Sequence, residues 1–360
     1  MRIALISPYS TGPVRGNITT VSRISRLLQQ AGAEVLVLSA DVLSAEEMER
    51  RLASFAPQVL HGFHASYCGG LTRRLAERFN VPYVITITGS DVHSALLRDH
   101  PETVQTLAAA RSVICFHDSE ATELVSHFPQ TAEKATVISQ SVEAFPPTAA
   151  ENFGMAEETF VLLLPAALRP VKQVEFPLLA LKSITHRFPL VRLVIAGGSI
   201  DQDYAATIRN MLCDAPYAVW IGEIPHERMA ALYRRSNVVL NCSLSESMSN
   251  TILEAMDLGR PVLARDIPGN RSLICHGDSG LLYQDQESFL HSVIRLVQDS
   301  ALRTELGRRA VESVRSLCSP KREVAEHIRL YRSLIAEGSV QDALIEVMGR
   351  SRDNDQPQQL

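Results

Sequence analysis

The chain reads as an α/β protein built from two consecutive doubly wound, Rossmann-like units. Three observations predict this. Short apolar runs alternate with helix-period segments along nearly the whole sequence, the pattern of βαβ units around a parallel sheet. That pattern breaks once, at EAFPPTAAENFGMAEE (143–158), and then restarts. Polar and glycine-containing stretches follow several of the apolar runs, and open α/β sheets bind ligands at the carboxyl ends of their strands.

Taken in order, IALIS (3–7) is a short apolar run ended by Pro8, Tyr9 and Gly12, hence a buried parallel strand. TTVSRISRLLQQAGA (19–33) carries Val21, Ile24, Leu27, Leu28 and Ala31 at helical spacing, and Gly32 stops it. EVLVLS, VLHGF, PYVITIT, SVICF and ATVIS continue the strands. SAEEMERRLASFA, GGLTRRLAERF and EATELVSHF are the intervening helices. Two prolines, small residues and acids make 143–158 the linker. Beyond it FVLLLP, VRLVIAG, YAVWIG, VVLNC, PVLAR and GLLY read as strands. VEFPLLALKSITHRF, DYAATIRNMLCD, HERMAALYRRS and NTILEAMDL read as the helices between them. Three further helices follow, ESFLHSVIRLVQD, SALRTELGRRAVESVRSL and KREVAEHIRLYRSLIAE. The polar end, 345–360, closing in SRDNDQPQQL, reads as a disordered tail. The expected domains are 1–150 and 151–319.

Composition narrows the class. The 360 residues suffice for two domains of ordinary size. Hydrophobic residues at 46% and charged residues at 21% are those of a globular protein. A net charge of −5 gives no global electrostatic case for nucleic acid. No apolar run reaches bilayer-spanning length, and the N-terminal run is too short for a secretory signal. The six cysteines form no C-x-x-C pair and read as buried, reduced thiols of a cytoplasmic protein.

The candidate chemistry gathers at strand ends. ALRPVKQ places Arg169 and Lys172 after the first strand of the second unit, and two cations there suit a diphosphate. Glu246 lies in the serine-rich loop after VVLN, and Glu254 follows on the next helix, seven residues intervening. The helix opened by Ser249 and Asn250 presents free N–H groups and a positive dipole end. Glu254 lies about one turn in, within reach of a vicinal diol such as ribose, although a lone Glu so placed is more often a solvated helix carboxylate. Gly269, in IPGNRS, permits close backbone approach or simply a tight turn. In the first unit, TGPVRGN supplies Gly12, Arg15, Gly16 and Asn17. It is neither a dinucleotide nor a Walker fingerprint, and a plain strand–helix turn explains it as well. His61 and His64 follow the third strand, and Asp91 and His93 follow the fourth. A histidine at a strand end can be a general base or a ligand, but a lone one is more often a structural hydrogen-bonder. Asp201-Gln202-Asp203 has the spacing of a cation site, yet at a helix start the acids are better explained by the dipole. No metal site is expected.

Ser245-Glu246 through Glu254, followed by AMDLGRPVLARDIPGN and GLLY, resembles the E-x7-E signature of retaining GT-B glycosyltransferases of family 4. GEIPHERMAALYRRSNVVLNCSLSE resembles the segment preceding that signature, and ALRPVK the family's diphosphate-binding Arg and Lys. The likeness is specific across 220–283, looser in the first half, and strongest to the glycosyltransferase-one-domain-containing subgroup. It implies a GT-B fold, two domains facing across a cleft, with a final helix near 320–336 returning to the first domain. It implies a nucleotide-diphosphate sugar donor and a metal-independent, retaining transfer of a hexosyl group to an acceptor, with no further cofactor. Arg169 and Lys172 would hold the diphosphate, Glu254 the ribose, and Glu246 with the backbone of Ser247, Met248, Ser249 and Asn250 the donor sugar. Gly16 and Asn17 would approach the donor phosphates. Gly12, Arg15 and Asp91 would lie on the acceptor side, with His64 as candidate catalytic base. Ser247 stands where many relatives have Gly, and Thr88 where many have His. Thr-Gly-Ser-Asp, Gln140-Ser141 and Leu-Arg-Pro-x-Lys together are also similar to the selenosugar synthases. An epimerase on the same fold and a non-catalytic nucleotide-sugar binder remain alternatives.

Overall fold

In the computed structural model, which describes residues 1–10, 16–142, 145 and 149–353 (backbone alone from 338), two six-stranded parallel sheets form in succession. The first comprises β1 (Arg2–Ser7), β2 (Glu34–Ser39), β3 (Val59–Phe63), β4 (Tyr83–Thr86), β5 (Ser112–Cys115) and β6 (Ala135–Val137), in the order β2-β1-β3-β4-β5-β6. The second comprises β7 (Phe160–Pro165), β8 (Val191–Ala196), β9 (Ala218–Trp220), β10 (Val238–Asn241), β11 (Val262–Arg265) and β12 (Leu281–Tyr283), in the order β12-β11-β10-β7-β8-β9. This is the GT-B arrangement of two doubly wound sheets.

Both sheets are parallel because their central strands are apolar on both faces. Ile3, Ala4, Leu5 and Ile6 are all wholly buried, and so are Leu162, Leu163 and Leu193. Helices cover each face, so each sheet has a core on either side. Each fully buried Leu, Ile or Val contributes roughly 1.5–3 kcal/mol. The last helix, Pro320–Asp353, runs back to the first sheet, where Tyr331 and Leu334 join the core of Ile3, Leu5, Val21 and Ile24.

Strand order determines where the sites can be. In the first sheet the chain moves from β1 outward to β2, then returns to the other side of β1 as β3. In the second it moves from β7 to β8 and β9, then returns as β10. Each reversal opens a crevice at the carboxyl ends of the two diverging strands. The loops after β1 and β3 face those after β7 and β10 across one cleft.

Several elements depart from expectation. The helix expected over 174–188 is ordered only from Glu175 to Leu181. Beyond it the Ser183 and Thr185 hydroxyls bond Ala180 O and Lys182 O at 2.9 and 3.1 Å, which competes with helical continuation. IPGNRS is a short helix, Pro268–Arg271, with Pro at its first position. Ser90–His93, Ala95–Arg98 and Pro101–Ala109 are helical where no element was assigned. The final helix extends to Asp353, taking up the first half of the expected tail, which includes helix-forming Glu346, Met348 and Arg350. Residues 354–360 lie outside the described residues. Of the six cysteines, all free, Cys213 and Cys275 are exposed rather than buried. Cys213 ends the helix Gln202–Cys213, and Cys275 lies in the turn beyond Pro268–Arg271.

Candidate active site

The cleft between the sheets holds a cavity of about 420 Å³. Its lining draws on both domains. Gly16, Asn17, His64, Thr88, Gly89 and Gln140 come from the first, and Arg169, Lys172, Glu246, Ser247, Met248, Ser249, Asn250 and Glu254 from the second. Gly12 and Arg15 lie outside the described residues.

The second domain's half is built around an ion pair at its switch point. Lys172, from the turn after β7, donates from Nζ to Glu246 Oε1, after β10, at 2.6 Å. Ser243 Oγ and Asn241 Nδ2 donate to the same oxygen at 2.7 and 3.3 Å. Burial is the largest influence on Glu246 and opposes its charge. The Lys172 charge and the three hydrogen bonds together outweigh it and hold the carboxyl below its ordinary range. Arg169 is exposed at the same rim. Gly197, at φ 157°, lets the loop after β8 pass against this turn, since a Cβ there would meet Ala166 O at 2.2 Å.

Glu254 turns into the cleft with its side chain 13% exposed. Tyr233 OH donates to Oε2 at 2.7 Å, and His226 Nε2 lies 3.4 Å from Oε1. That bond to Glu254 raises the pKa of His226, whose ring stacks on Phe145 at 4.8 Å. The short helix Pro268–Arg271 braces the Glu246 loop from behind. A Cβ at Gly269 would sit 2.1 Å from Glu246 O and 2.6 Å from Ser247 O, so this glycine is required by contact and not by its turn.

Ser247 lines the cavity, but its hydroxyl oxygen is closed off from solvent. Its hydroxyl is enclosed near Gly89 of the first domain, 3.2 Å from where a Cβ at Gly89 would lie. The buried carboxyl of Glu120 belongs to the same contact. Phe116 N–H donates to its Oε2 at 2.8 Å, while Oε1 has no partner. Burial pushes Glu120 up to about 8; the Ser247 hydroxyl favours its charged form, though the geometry falls short of a hydrogen bond.

The first domain's candidates are mostly structural in their contacts. His64, at φ 77°, caps the turn that follows: Nδ1 accepts from Ser66 and Tyr67 N–H, both at 3.2 Å. Nε2 therefore carries the proton and faces Ser90 Oγ at 2.8 Å. Both nitrogens are occupied, and burial, the largest influence, lowers the pKa. Asp91 is wholly buried and accepts from the N–H groups of Ala65, Thr88 and Gly89. Gly16 and Asn17 open the helix Gly16–Gln30, and Asn250 Nδ2 reaches Gly16 O at 3.4 Å across the cleft. His61 is buried between Tyr331 and Thr86, away from the cavity. Asp201 caps the helix Gln202–Cys213 through Tyr204 N–H at 2.9 Å, in keeping with the helix-start reading. Among the described residues no cluster of three His, Cys, Asp or Glu could hold a metal ion. No described helix is long and apolar enough to cross a membrane.

Local pattern did not single out His117, Glu120, Tyr233 or His226, and Gln140 stood out only through the Gln-Ser resemblance. Their partners lie far along the chain: His117 bonds Ser247 O and Gln140 bonds Met248 O, over separations of 130 and 108 residues. Only the placement of Phe116-His117 and Gln140 just past strands hinted at them.

Residues 146–313 match the family described as glycosyl transferases group 1. The chain is 28% identical to glycosyltransferase 1 domain-containing protein 1 of Xenopus tropicalis, over 90% of this chain and 96% of that one. It is also 28% identical to D-inositol 3-phosphate glycosyltransferase of Pseudarthrobacter chlorophenolicus, over 76% and 70% of the two chains. Among solved structures it resembles a sucrose-phosphate synthase from Thermosynechococcus elongatus, with a TM-score of 0.80 at 20% identity over 93% and 99% of the chains. The Anabaena protein HepE, solved in complex with UDP and glucose, gives 0.72 at 16% identity over 92% and 100%. The E-x7-E segment lies inside the matched residues and the two sheets follow the GT-B plan, so the second domain is similar to the group 1 glycosyl transferases and the whole chain shares the GT-B fold.

Proposed function

We propose that this protein transfers a hexosyl group from a nucleotide-diphosphate sugar to an acceptor, with retention of anomeric configuration and without a metal ion. The observation that carries the reading is the Lys172–Glu246 pair at the switch point, with Glu254 one helix turn beyond the loop. Arg169 and Lys172 supply positive charge for the diphosphate, in place of a metal. Glu254, already oriented by Tyr233, accepts from the ribose hydroxyls. Glu246 Oε2 and the backbone of 247–250 receive the sugar. HepE with UDP and glucose, and the pneumococcal O-GlcNAc transferase GtfA with UDP and GlcNAc, supply the donor class by analogy.

In the proposed reaction the acceptor hydroxyl attacks the anomeric carbon from the face the diphosphate leaves. The C–O bond to the β-phosphate breaks as the new glycosidic bond forms, and the acceptor proton passes to the departing phosphate oxygen. Arg169 and Lys172 stabilise the charge that grows there. No side-chain base is needed, which suits His64, whose nitrogens are occupied. His64 lines the acceptor wall, and Asp91 behind it holds the N–H groups of Ala65, Thr88 and Gly89. Closure of the two domains excludes water from the donor.

Isothermal titration against UDP- and GDP-sugars tests the binding half, and no binding to any of them overturns the proposal. Product analysis with an acceptor panel tests the rest. A free epimerised sugar with nucleotide would instead indicate an epimerase, and tight binding without turnover a non-catalytic binder.

A further inference from the structure

The loop that would hold the donor sugar is gripped from outside its own domain. His117 stands at the end of β5 in the first domain. Its Nδ1 accepts from Ser119 Oγ at 2.8 Å and from Glu120 N–H at 3.1 Å. The proton is therefore on Nε2, which donates to the Ser247 carbonyl at 2.8 Å. Gln140, just past β6, does the same one residue on. Its Nε2 donates to the Met248 carbonyl at 2.9 Å. Its amide identity is fixed by Thr20 Oγ1 and Arg23 Nη2, which donate to its oxygen at 2.8 and 2.9 Å. Two consecutive carbonyls of the loop are thus each held by one side chain of the facing domain.

A trans peptide unit is planar, with C=O and N–H pointing opposite ways. Holding the Ser247 carbonyl against the first domain turns the Met248 N–H away from it. Holding the Met248 carbonyl does the same for the Ser249 N–H. Neither N–H makes a hydrogen bond among the described residues, and both residues line the cavity. We infer that His117 and Gln140 are positioning residues that set the direction of the Met248 and Ser249 N–H groups toward the donor sugar, so that the donor loop is fully formed only when the first domain is docked on it. This rests on the nucleotide-sugar reading above and adds to it. The sugar end of the site is assembled by closure, whereas Arg169, Lys172 and Glu254, which would hold the nucleotide, all belong to the second domain.

The two ends can be separated by titrating the full-length chain with UDP and UDP-glucose, and with GDP and GDP-mannose. His117→Phe and Gln140→Glu each remove one carbonyl-directed donor, and Gln140→Glu keeps the oxygen that Arg23 and Thr20 need. Each is expected to leave nucleoside-diphosphate affinity within about twofold and to weaken nucleotide-sugar affinity about tenfold, the scale of one lost hydrogen bond in an enclosed site. His117→Gln, whose amide nitrogen can take the place of Nε2, should recover most of the loss. Equal weakening of both ligands, no weakening of either, or absence of rescue by His117→Gln in a chain that melts like wild type overturns the inference alone. If the wild type binds neither nucleotide-sugar, the proposed function fails and the inference falls with it. Should His117→Phe not fold, the Gln140→Glu and His117→Gln results decide the matter.

Discussion

Replacing Glu120 by Gln should remove a pH dependence from the stability of the protein. The Glu120 side chain is wholly buried where the two domains touch, with one oxygen taken by Phe116 N–H and the other without a partner. Burial raises its pKa from 4.5 to about 8. Between those values the folded chain keeps a proton at this site that the unfolded chain has released. Stability therefore falls as pH rises across that window, by about 1.4 kcal/mol per pH unit. The contribution is fully present below pH 4.5 and is lost by the time pH passes about 8. From pH 5 to pH 8 the wild type should thus lose about 3–4 kcal/mol that a neutral amide does not lose. Glutamine has the same shape, can still accept from Phe116 N–H, and offers an N–H toward the Ser247 hydroxyl. The assay is guanidinium denaturation of wild type and Glu120→Gln, followed by circular dichroism at pH 5, 6, 7 and 8. Subtracting one protein from the other cancels every other titrating group. The variant should match the wild type near pH 5 and exceed it increasingly toward pH 8. Parallel stability curves for the two proteins would refute the reasoning, because they would mean that Glu120 titrates alike folded and unfolded.

Lys172→Met should strand the half-buried Glu246 carboxylate, lowering stability by about 1–3 kcal/mol and nucleoside-diphosphate affinity at least about tenfold; calorimetry and a melting curve check both, and no change in either counts against the pair's role. Gly269→Ala puts a methyl group 2.1 Å from Glu246 O, so the donor loop must move. A stability loss of about 1–3 kcal/mol with weakened nucleotide-sugar binding is expected, and wild-type binding would show the brace to be dispensable. Glu323→Leu leaves Arg23 buried without its bidentate partner at 3.0 and 3.1 Å, at an expected cost of about 3–5 kcal/mol. The double variant Arg23→Met with Glu323→Leu should recover most of that loss in denaturant titration, and equal loss in single and double variants would contradict it.

The sheets were legible because their residues carry the signal locally. IALIS, VLHGF and VVLN are mostly apolar runs, and become β1, β3 and β10. The grouping of Arg169, Lys172, Glu246 and Glu254 was legible for the same reason, since all four follow strand ends within one domain. What escaped was set by contacts between distant segments. His64 looks in sequence like a free histidine at a strand end, but its φ of 77° and the two N–H groups that it caps depend on how the chain turns after β3. Gly269 reads as a turn glycine, although it is the carbonyls of Glu246 and Ser247 that exclude a side chain there. Ser247 could be expected to crowd a ligand. Its burial beside Gly89 and Glu120 depends on the other domain, which its neighbours in sequence do not report.

The return of the last helix to the first sheet also bears on how the protein is made. Tyr331 and Leu334 complete the core that Ile3, Leu5, Val21 and Ile24 begin. A nascent chain emerging through β6 has every strand of its first sheet but only part of the cover on one face. The entire second domain must be translated before that cover arrives, roughly 10–40 s later at about 5–20 residues per second. Throughout that interval the first domain carries an exposed apolar face on the ribosome, while the second domain can fold behind it as a unit. A helix synthesised after the second sheet is therefore what finishes a sheet synthesised before it, and a message cut short just before Pro320 would leave the first sheet without part of its cover.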